Sequence, residues 1–283
     1  MPNPFNRQVI EEFRANHGRV GGYSEGARLL LLTTTGARTG TPHTTPVGYY
    51  PDGGEQVLVI ASAGGAPRHP DWFRNLVANP RATVEDGLFT YEAEAVVLER
   101  AERDRVFARA VEADPGWAEY QAKTDRVIPV VALRQVPQDG PPSMNAGSIA
   151  EHLQVAHDAF RRELALIREE FRKTGASLGT QLRVNCLTLC QGLHNHHTGE
   201  GLGLFPFLAD RHPELAPALD RLTEEHERIA ELLEQLRGVI ADGQPEPGRV
   251  LSRVEHLTAE LEAHLTYEEE QLIPLLTAVG APE

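Results

Sequence analysis

Two of the twelve histidines in this 283-residue chain share one local pattern. His196 is followed by Glu200 and then Pro206, and His264 is followed by Glu268 and then Pro274 at the same intervals. Residues at i and i+4 lie on one face of an α-helix with Cβ atoms about 5–6 Å apart. Each pair can therefore present an imidazole and a carboxylate to the same point. The repetition, each time with a proline six residues past the glutamate, reads as two helices built for one metal centre, with the proline as the stop of each helix.

Two further histidines lie on apolar stripes. His157 stands among Leu153, Phe160 and Leu164, and His226 between Leu222 and Ile229. The intervals His157–His196, His196–His226 and His226–His264 are 39, 30 and 38 residues, each long enough for one helix and a turn. One histidine per helix can thus meet the others at one level of a bundle. Four imidazoles and two carboxylates (His157, His196, Glu200, His226, His264 and Glu268) suit a pair of transition-metal ions, iron foremost, with the carboxylates able to bridge. His152, His194, His197 and His256 match the spacing less well and read as surface residues or residues behind the ligands, although His197 can stand in as a ligand.

The elements needed to place these ligands follow from the texture of the chain. Ser148-Ile-Ala-Glu151 is a capping box. From there the sequence is rich in Leu, Glu, Arg and His with helical periodicity, broken near 174–177, 206–213 and 243–247. Four helices are expected, near 148–173, 178–206, 214–240 and 248–277, as an up-down four-helix bundle with short connections. Residues 1–135 carry 15 basic and 17 acidic side chains; residues 136–283 carry 12 and 24. So acidic a second half argues against a nucleic-acid partner, since phosphate binding needs positive charge. No apolar run approaches the eighteen or so residues of a membrane span. The two cysteines, Cys186 and Cys190, are one helical turn apart, and the N-terminus lacks a secretion signal, so a reduced, cytoplasmic protein is expected. Oligomeric state stays open.

Residues 1–135 read differently. Apolar, β-branched runs near 29–34, 44–50, 56–61, 82–85, 90–98 and 127–133 are strands, joined largely by hairpin turns such as Pro51-Asp-Gly-Gly54, with helices near 6–16, 71–78, 102–112 and 117–123. This pattern implies an antiparallel sheet or small barrel, and an α+β multidomain protein overall. Two glycine turns, Gly36–Gly40 with Arg38 and Gly64–Gly65 with nearby Arg68, could hold an anionic group. The Pro- and Gly-rich stretch 136–147 reads as a linker between a first domain (1–135) and a second (148–283).

Particular wording adds to this. Residues 148–277, with His-x-x-x-Glu…Phe-Pro and His-x-x-x-Glu…Ile-Pro, resemble a hemerythrin-like (HHE cation-binding) domain. The resemblance implies two iron ions on His157, His196, Glu200, His226, His264 and Glu268, and oxygen, peroxide or nitric oxide as small ligands. Oxygen-carrying members have a second histidine one turn along the third helix, where this chain has Leu222 or Ala230; the departure favours sensing or redox chemistry over oxygen carriage.

The wording Thr34-Thr-Gly-Ala-Arg-Thr-Gly40-Thr-Pro-His-Thr-Thr-Pro46, Ala61-Ser-Ala-Gly-Gly65, His69-Pro-Asp-Trp72-Phe-Arg-Asn75 and Tyr120-Gln-Ala-Lys-Thr-Asp-Arg126 resembles the deazaflavin-dependent nitroreductase and quinone reductase family. That resemblance implies a split β-barrel of the FMN-binding type that uses coenzyme F420, with FMN as the alternative, to reduce a quinone or nitroaromatic acceptor. By the same resemblance Arg38, Thr39 and His43 lie near the cofactor's phosphate and acidic tail, and Pro46, Val47, Ser62 and Ala63 near its ring. Trp72 and Asn75 line its groove; Arg68, read from the residues as following the Gly64–Gly65 turn, is a further anion contact. Trp117 and Tyr120 face the acceptor, Tyr120 as a proton donor. The basic residue that relatives carry after Ser62 is Ala63 here. The rival reading is an iron-binding sensor or storage protein whose barrel is a non-catalytic platform.

Overall fold

The structure, a computed structural model, describes residues 4–22, 26–54, 56–137, 143–144, 146–174, 179–241 and 246–279. The chain forms two compact units, Met1–Asn145 with Gly179–Gln181, and Ala146–Leu178 with Leu182–Glu283.

The first unit comprises α1 (Pro4–Ala15), β1 (Leu29–Thr35), β2 (Pro42–Gly54), β3 (Gln56–Ile60), α2 (Asp71–Ala78), β4 (Arg81–Glu85), β5 (Phe89–Val97), α3 (Arg100–Ala113), α4 (Gly116–Ala122), β6 (Val130–Gln135) and β7 (Ser143–Met144). The strands are ordered β4-β1-β2-β3-β6-β5, and β5 pairs back onto β4, so six antiparallel strands close a barrel. Closure removes free edges. The strands are apolar on both faces because both faces are covered. Leu30 and Leu32 point into the barrel with Val59, Val131 and Leu133, while Leu31 packs outward on Ile10 and Phe13 of α1. Leu58, Ile60, Val130 and Ala132 likewise face outward, against Phe107 and Ala110 of α3. Alternation with period two turns one continuous run into two separate cores.

The expected linker is partly a strand. Residues 138–142 and 145 lie outside the described residues, but Ser143–Met144 pairs antiparallel with β5 at Phe89 and Thr90. Backbone pairing with the start of β5, ahead of the residues that β6 covers, turns these two residues from connection into sheet.

The second unit contains α5 (Ile149–Thr174), α6 (Thr180–Gly199), α7 (Phe205–Arg211), α8 (Ala216–Ala241) and α9 (Pro247–Val279). Ser148 caps α5, its Oγ accepting from Glu151 N at 3.1 Å, as the capping box requires. The expected breaks at 174–177 and 243–247 fall mostly outside the described residues. Two apolar layers hold the four long helices together. One holds Ile167, Leu193, Ile229, Leu261 and Leu265; the other holds Leu153, Phe205, Leu222 and Leu272. Cys186 and Cys190 form no disulfide and are buried inside the first layer. Burial pushes the Cys190 thiol up to about 11, away from reactive thiolate.

Neither proline is a stop. After Glu200 the backbone widens into a π-turn, Glu200–Leu204, with Phe205 N–H donating to Glu200 O, and the helix resumes with Pro206 in the first turn of α7. A first-turn proline has no donor to lose. Pro274 lies inside α9, which continues to Val279. No described helix is long and apolar enough to cross a membrane.

An exposed interior proline removes one helical hydrogen bond and crowds the carbonyl four residues back. Pro274→Ala is therefore expected to stabilise the second unit by about 1–3 kcal/mol. Chemical denaturation followed by circular dichroism measures this; an unchanged or lowered midpoint contradicts it.

Candidate metal centre and cofactor cleft

Each long helix interposes polar side chains between the two apolar layers of the second unit. On α5, His157 follows Leu153 of one layer and precedes Leu164 of the other; on α8, His226 lies between Leu222 and Ile229. On α9, His264 and Glu268 separate Leu261 from Leu272. His196 closes α6 and Glu200 opens the π-turn. The six expected ligands converge, and His197 joins them. Their donor atoms form two sets, His157, His196, Glu200 and Glu268 in one and His197, His226 and His264 in the other, with the atoms of each set within 4.8 Å of one another.

Glu200 and Glu268 tie the sets together. Glu200 Oε1 lies 3.1 Å from His196 Nε2, and its Oε2 lies 3.5 Å from His226 Nε2. Glu268 Oε2 is 3.4 Å from His157 Nε2 and 3.5 Å from His264 Nε2. Charge-assisted hydrogen bonds are shorter, about 2.7–2.9 Å. Ligands about 2.1 Å from a common ion and at right angles to each other stand about 3 Å apart. Among the described residues, the Nε2 atoms of all five histidines and all four carboxylate oxygens are buried without a hydrogen-bond partner. Buried polar atoms are otherwise almost always satisfied, and nine orphans facing one volume suit cations.

Two of the outer nitrogens have carboxylate partners. His157 Nδ1 lies 2.9 Å from Glu269 Oε1, which Arg161 holds at 2.7 Å. His264 Nδ1 lies 3.0 Å from Glu225 Oε2, and Arg221 holds the other oxygen of that carboxylate at 2.8 Å. A carboxylate on Nδ1 selects the tautomer that presents a bare Nε2 inward. Sequence reading missed Glu225, Glu269, Arg161 and Arg221; their signal was only the adjacency of Glu225 to His226 and of Glu269 to Glu268.

Electrostatics agree. Burial, and then the neighbouring imidazoles, hold His196 well below the ordinary histidine range; burial and His264 bring His226 down to about 3. Burial also lowers His264 despite Glu268 and Glu225. For His157, burial is outweighed by Glu268 and Glu269, and its pKa rises. Burial pushes the Glu200 carboxyl far up, and Glu268 beside it adds to the effect. Mostly neutral imidazoles around buried carboxylates make a donor set waiting for positive charge. Of the other histidines, His194 and His256 are exposed and His152 is half-buried beside His157.

In the first unit, Arg38, Thr39, His43, Trp72 and Asn75 line a cleft of about 520 Å³ between the Gly36–Gly40 turn and α2. Asn75 fixes the turn: its Nδ2 donates to Thr34 Oγ1 and its Oδ1 accepts from Ala37 N, both at 3.0 Å. A Cβ at Gly36 would sit 2.5 Å from Thr39 Oγ1 and 2.8 Å from His43 Nε2, so both side chains would have to shift to admit one. Among the described residues, no acidic side chain pairs with Arg38, which stays available to an anion.

The other expected residues lie elsewhere. Pro46 and Val47 sit on β2 opposite Leu31 and Leu30. Arg68 is exposed and does not line the cleft. Ser62 and Ala63 form a tight turn after β3 in which Ala63 takes φ +49°. This turn packs against α4, where Trp117 donates from Nε1 to the Tyr50 hydroxyl at 2.6 Å and meets the Tyr120 ring edge-on at 5.8 Å. Arg126 straps the turn down, donating to the carbonyls of Ser62 (2.6 Å), Ala66 (2.9 Å) and Ala61 (3.2 Å) and meeting His69 Nδ1 at 3.0 Å. Sequence reading gave Arg126 no role, although it stands in the quoted Tyr120–Arg126 wording.

Residues 5–135 match the F420H(2)-dependent quinone reductase family, and residues 148–276 match the hemerythrin HHE cation binding domain. An F420H(2)-dependent quinone reductase of Mycobacterium tuberculosis is 38% identical over 125 residues, spanning 43% of this chain and 83% of the relative. The chain belongs to that reductase family. A hemerythrin domain follows in the same polypeptide. Among solved structures, an F420-H2 dependent reductase is 42% identical over 38% of this chain and 94% of its own (TM-score 0.35). A chain described as a domain-swapped dimer is 38% identical over 45% of this chain and 93% of its own (TM-score 0.37).

Asn75→Ala removes both bonds that fix the cleft's turn and leaves the buried Thr34 hydroxyl without its donor. A stability loss of about 1–3 kcal/mol is expected for the first unit. Thermal unfolding checks it, and a change below 0.5 kcal/mol contradicts it.

Proposed function

We propose that this chain is an F420H2-dependent oxidoreductase that reduces a quinone or nitro compound, and that its second unit holds a two-ion iron centre. One observation carries the reductase reading: the stretch matching relatives named F420H(2)-dependent quinone reductases closes into a barrel, with a cleft walled by Arg38, Thr39, His43, Trp72 and Asn75 of the family wording. The size of the cleft suits a cofactor; such sites run to about 300–1,000 Å³. When bound, F420H2 supplies a hydride to the acceptor.

The protein's own residues bind, orient and move protons. Arg38 and Thr39 on the Gly36–Gly40 turn, with His43 at the start of β2, meet the anionic tail, and Asn75 keeps that turn in place. The Ser62–Ala63 backbone, strapped by Arg126, faces the ring together with Pro46 and Val47. Trp117 and Tyr120 form the acceptor wall, and the Tyr120 phenol is the proton donor to the reduced acceptor.

In the second unit Glu200 would help to hold two ions, since one of its oxygens lies beside His196 and the other beside His226. Iron there supplies one-electron exchange and coordination positions for dioxygen, peroxide or nitric oxide. His157, His196, Glu200, His226, His264 and Glu268 hold it, while Glu269 and Glu225 orient two of the imidazoles.

Purified protein is expected to oxidise F420H2 with menadione as acceptor. Arg38→Ala should raise the KM for F420H2 about tenfold with a smaller change in kcat, the loss of one charge-assisted contact. Tight F420 binding without turnover would favour the barrel as a platform, and bound FMN in the isolated protein would replace F420. Elemental analysis is expected to give two irons per chain. Chelation should lower the melting temperature of the second unit, because metal binding to the folded form alone stabilises it.

A further inference from the structure

We propose that His197 is itself a metal ligand, completing a three-imidazole set with His226 and His264; the proposal rests on the two-ion reading above. His197 follows His196 directly, and consecutive helical residues point about 100° apart. Two such neighbours do not face one point. They can straddle two adjacent ions, and the donor atoms divide in that way: His196 falls with His157, Glu200 and Glu268, His197 with His226 and His264.

The surroundings of His197 fit coordination better than packing. The residue is 7% exposed, and its Nε2 is buried with no hydrogen-bond partner among the described residues. A histidine used only to fill space leaves that nitrogen at a cost of about 1–3 kcal/mol. Its ring stacks on His226 with centroids 4.1 Å apart and planes 11° apart, and meets His264 edge-on at 5.2 Å.

The third helix has no such donor to give. One turn to either side of His226 stand Leu222, fully buried in an apolar layer, and Ala230, exposed. The ligand absent from α8 is supplied from the second helix. With Glu200 and Glu268 shared, one ion has three imidazoles and the other, beside His157 and His196, has two.

The full-length chain, its His197→Ala and His197→Phe variants, and His194→Ala as an exposed control on the same helix would be loaded with Fe(II) without oxygen and desalted. Iron per chain, and the dissociation constant of each ion from chelator competition, are then measured. The wild type and His194→Ala are expected to hold two irons. Both His197 variants are expected to keep one and to bind the second at least tenfold more weakly, the lower bound set by losses of supporting residues. Phenylalanine keeps the stacked ring and so the packing. Added imidazole should restore the second iron to His197→Ala and not to His197→Phe. Two irons of unchanged affinity in His197→Phe, with wild-type helix content, overturn the proposal. A wild type that takes up no iron overturns the two-ion reading with it.

Discussion

Two carboxylates, Glu200 and Glu268, are buried against each other within a ring of imidazoles, and the architecture of the second unit answers to that constraint. Like charges so placed cannot both persist without compensation. The outer shell supplies none of it to them directly: Arg161 and Arg221 are spent on Glu269 and Glu225, which in turn orient His157 and His264. The inner atoms are left facing one another, and cations resolve the conflict. Apolar layers on both sides keep water from screening it. The long helices are thus less a scaffold with a site attached than two dry clamps around a polar layer.

Much of this was legible in the residues. A spacing of four between histidine and glutamate gives a common helical face, and intervals of 30 to 39 residues suit one such histidine per helix. The strands of the first unit were legible because β-branched and leucine runs bounded by glycine leave little choice. What failed did so for identifiable reasons. Proline was read as punctuation, yet a widened turn brings Pro206 into a harmless first-turn position and an exposed face tolerates Pro274. His197 was given only as a stand-in ligand because counting along one helix face assumes a single target, yet its donor nitrogen lies with the donor atoms of His226 and His264. Arg68 was joined to the cofactor on the strength of nearby glycines, and proximity in sequence did not carry it to the cleft. Arg126 was passed over because one guanidinium donating to three carbonyls leaves no periodic trace.

The first unit shows the complementary arrangement, in which backbone rather than charge sets the site. Thr34, Ala37 and Asn75, from one strand, one turn and one helix, meet through two side-chain hydrogen bonds, and a Cβ at Gly36 would crowd Thr39 and His43. The Ser62–Ala63 turn holds a non-glycine residue at positive φ, a conformation that costs about 1–3 kcal/mol and persists only when its neighbours over-determine it. Arg126 and α4 are those neighbours. Both loops are therefore stiff before any ligand arrives, which reduces the ordering cost of binding.

The π-turn at Glu200–Leu204 bears on how such a chain can be altered. A widened turn holds one more residue than the α-helical path needs, and this one rotates the following segment so that Phe205 stacks on His226 at 5.2 Å. Gly201 and Gly203 would meet nothing with an added Cβ, and Leu202 is 80% exposed. The bulge thus faces solvent directly behind a buried carboxylate, offering three consecutive places where a spectroscopic label could be grafted beside the centre without disturbing either apolar layer.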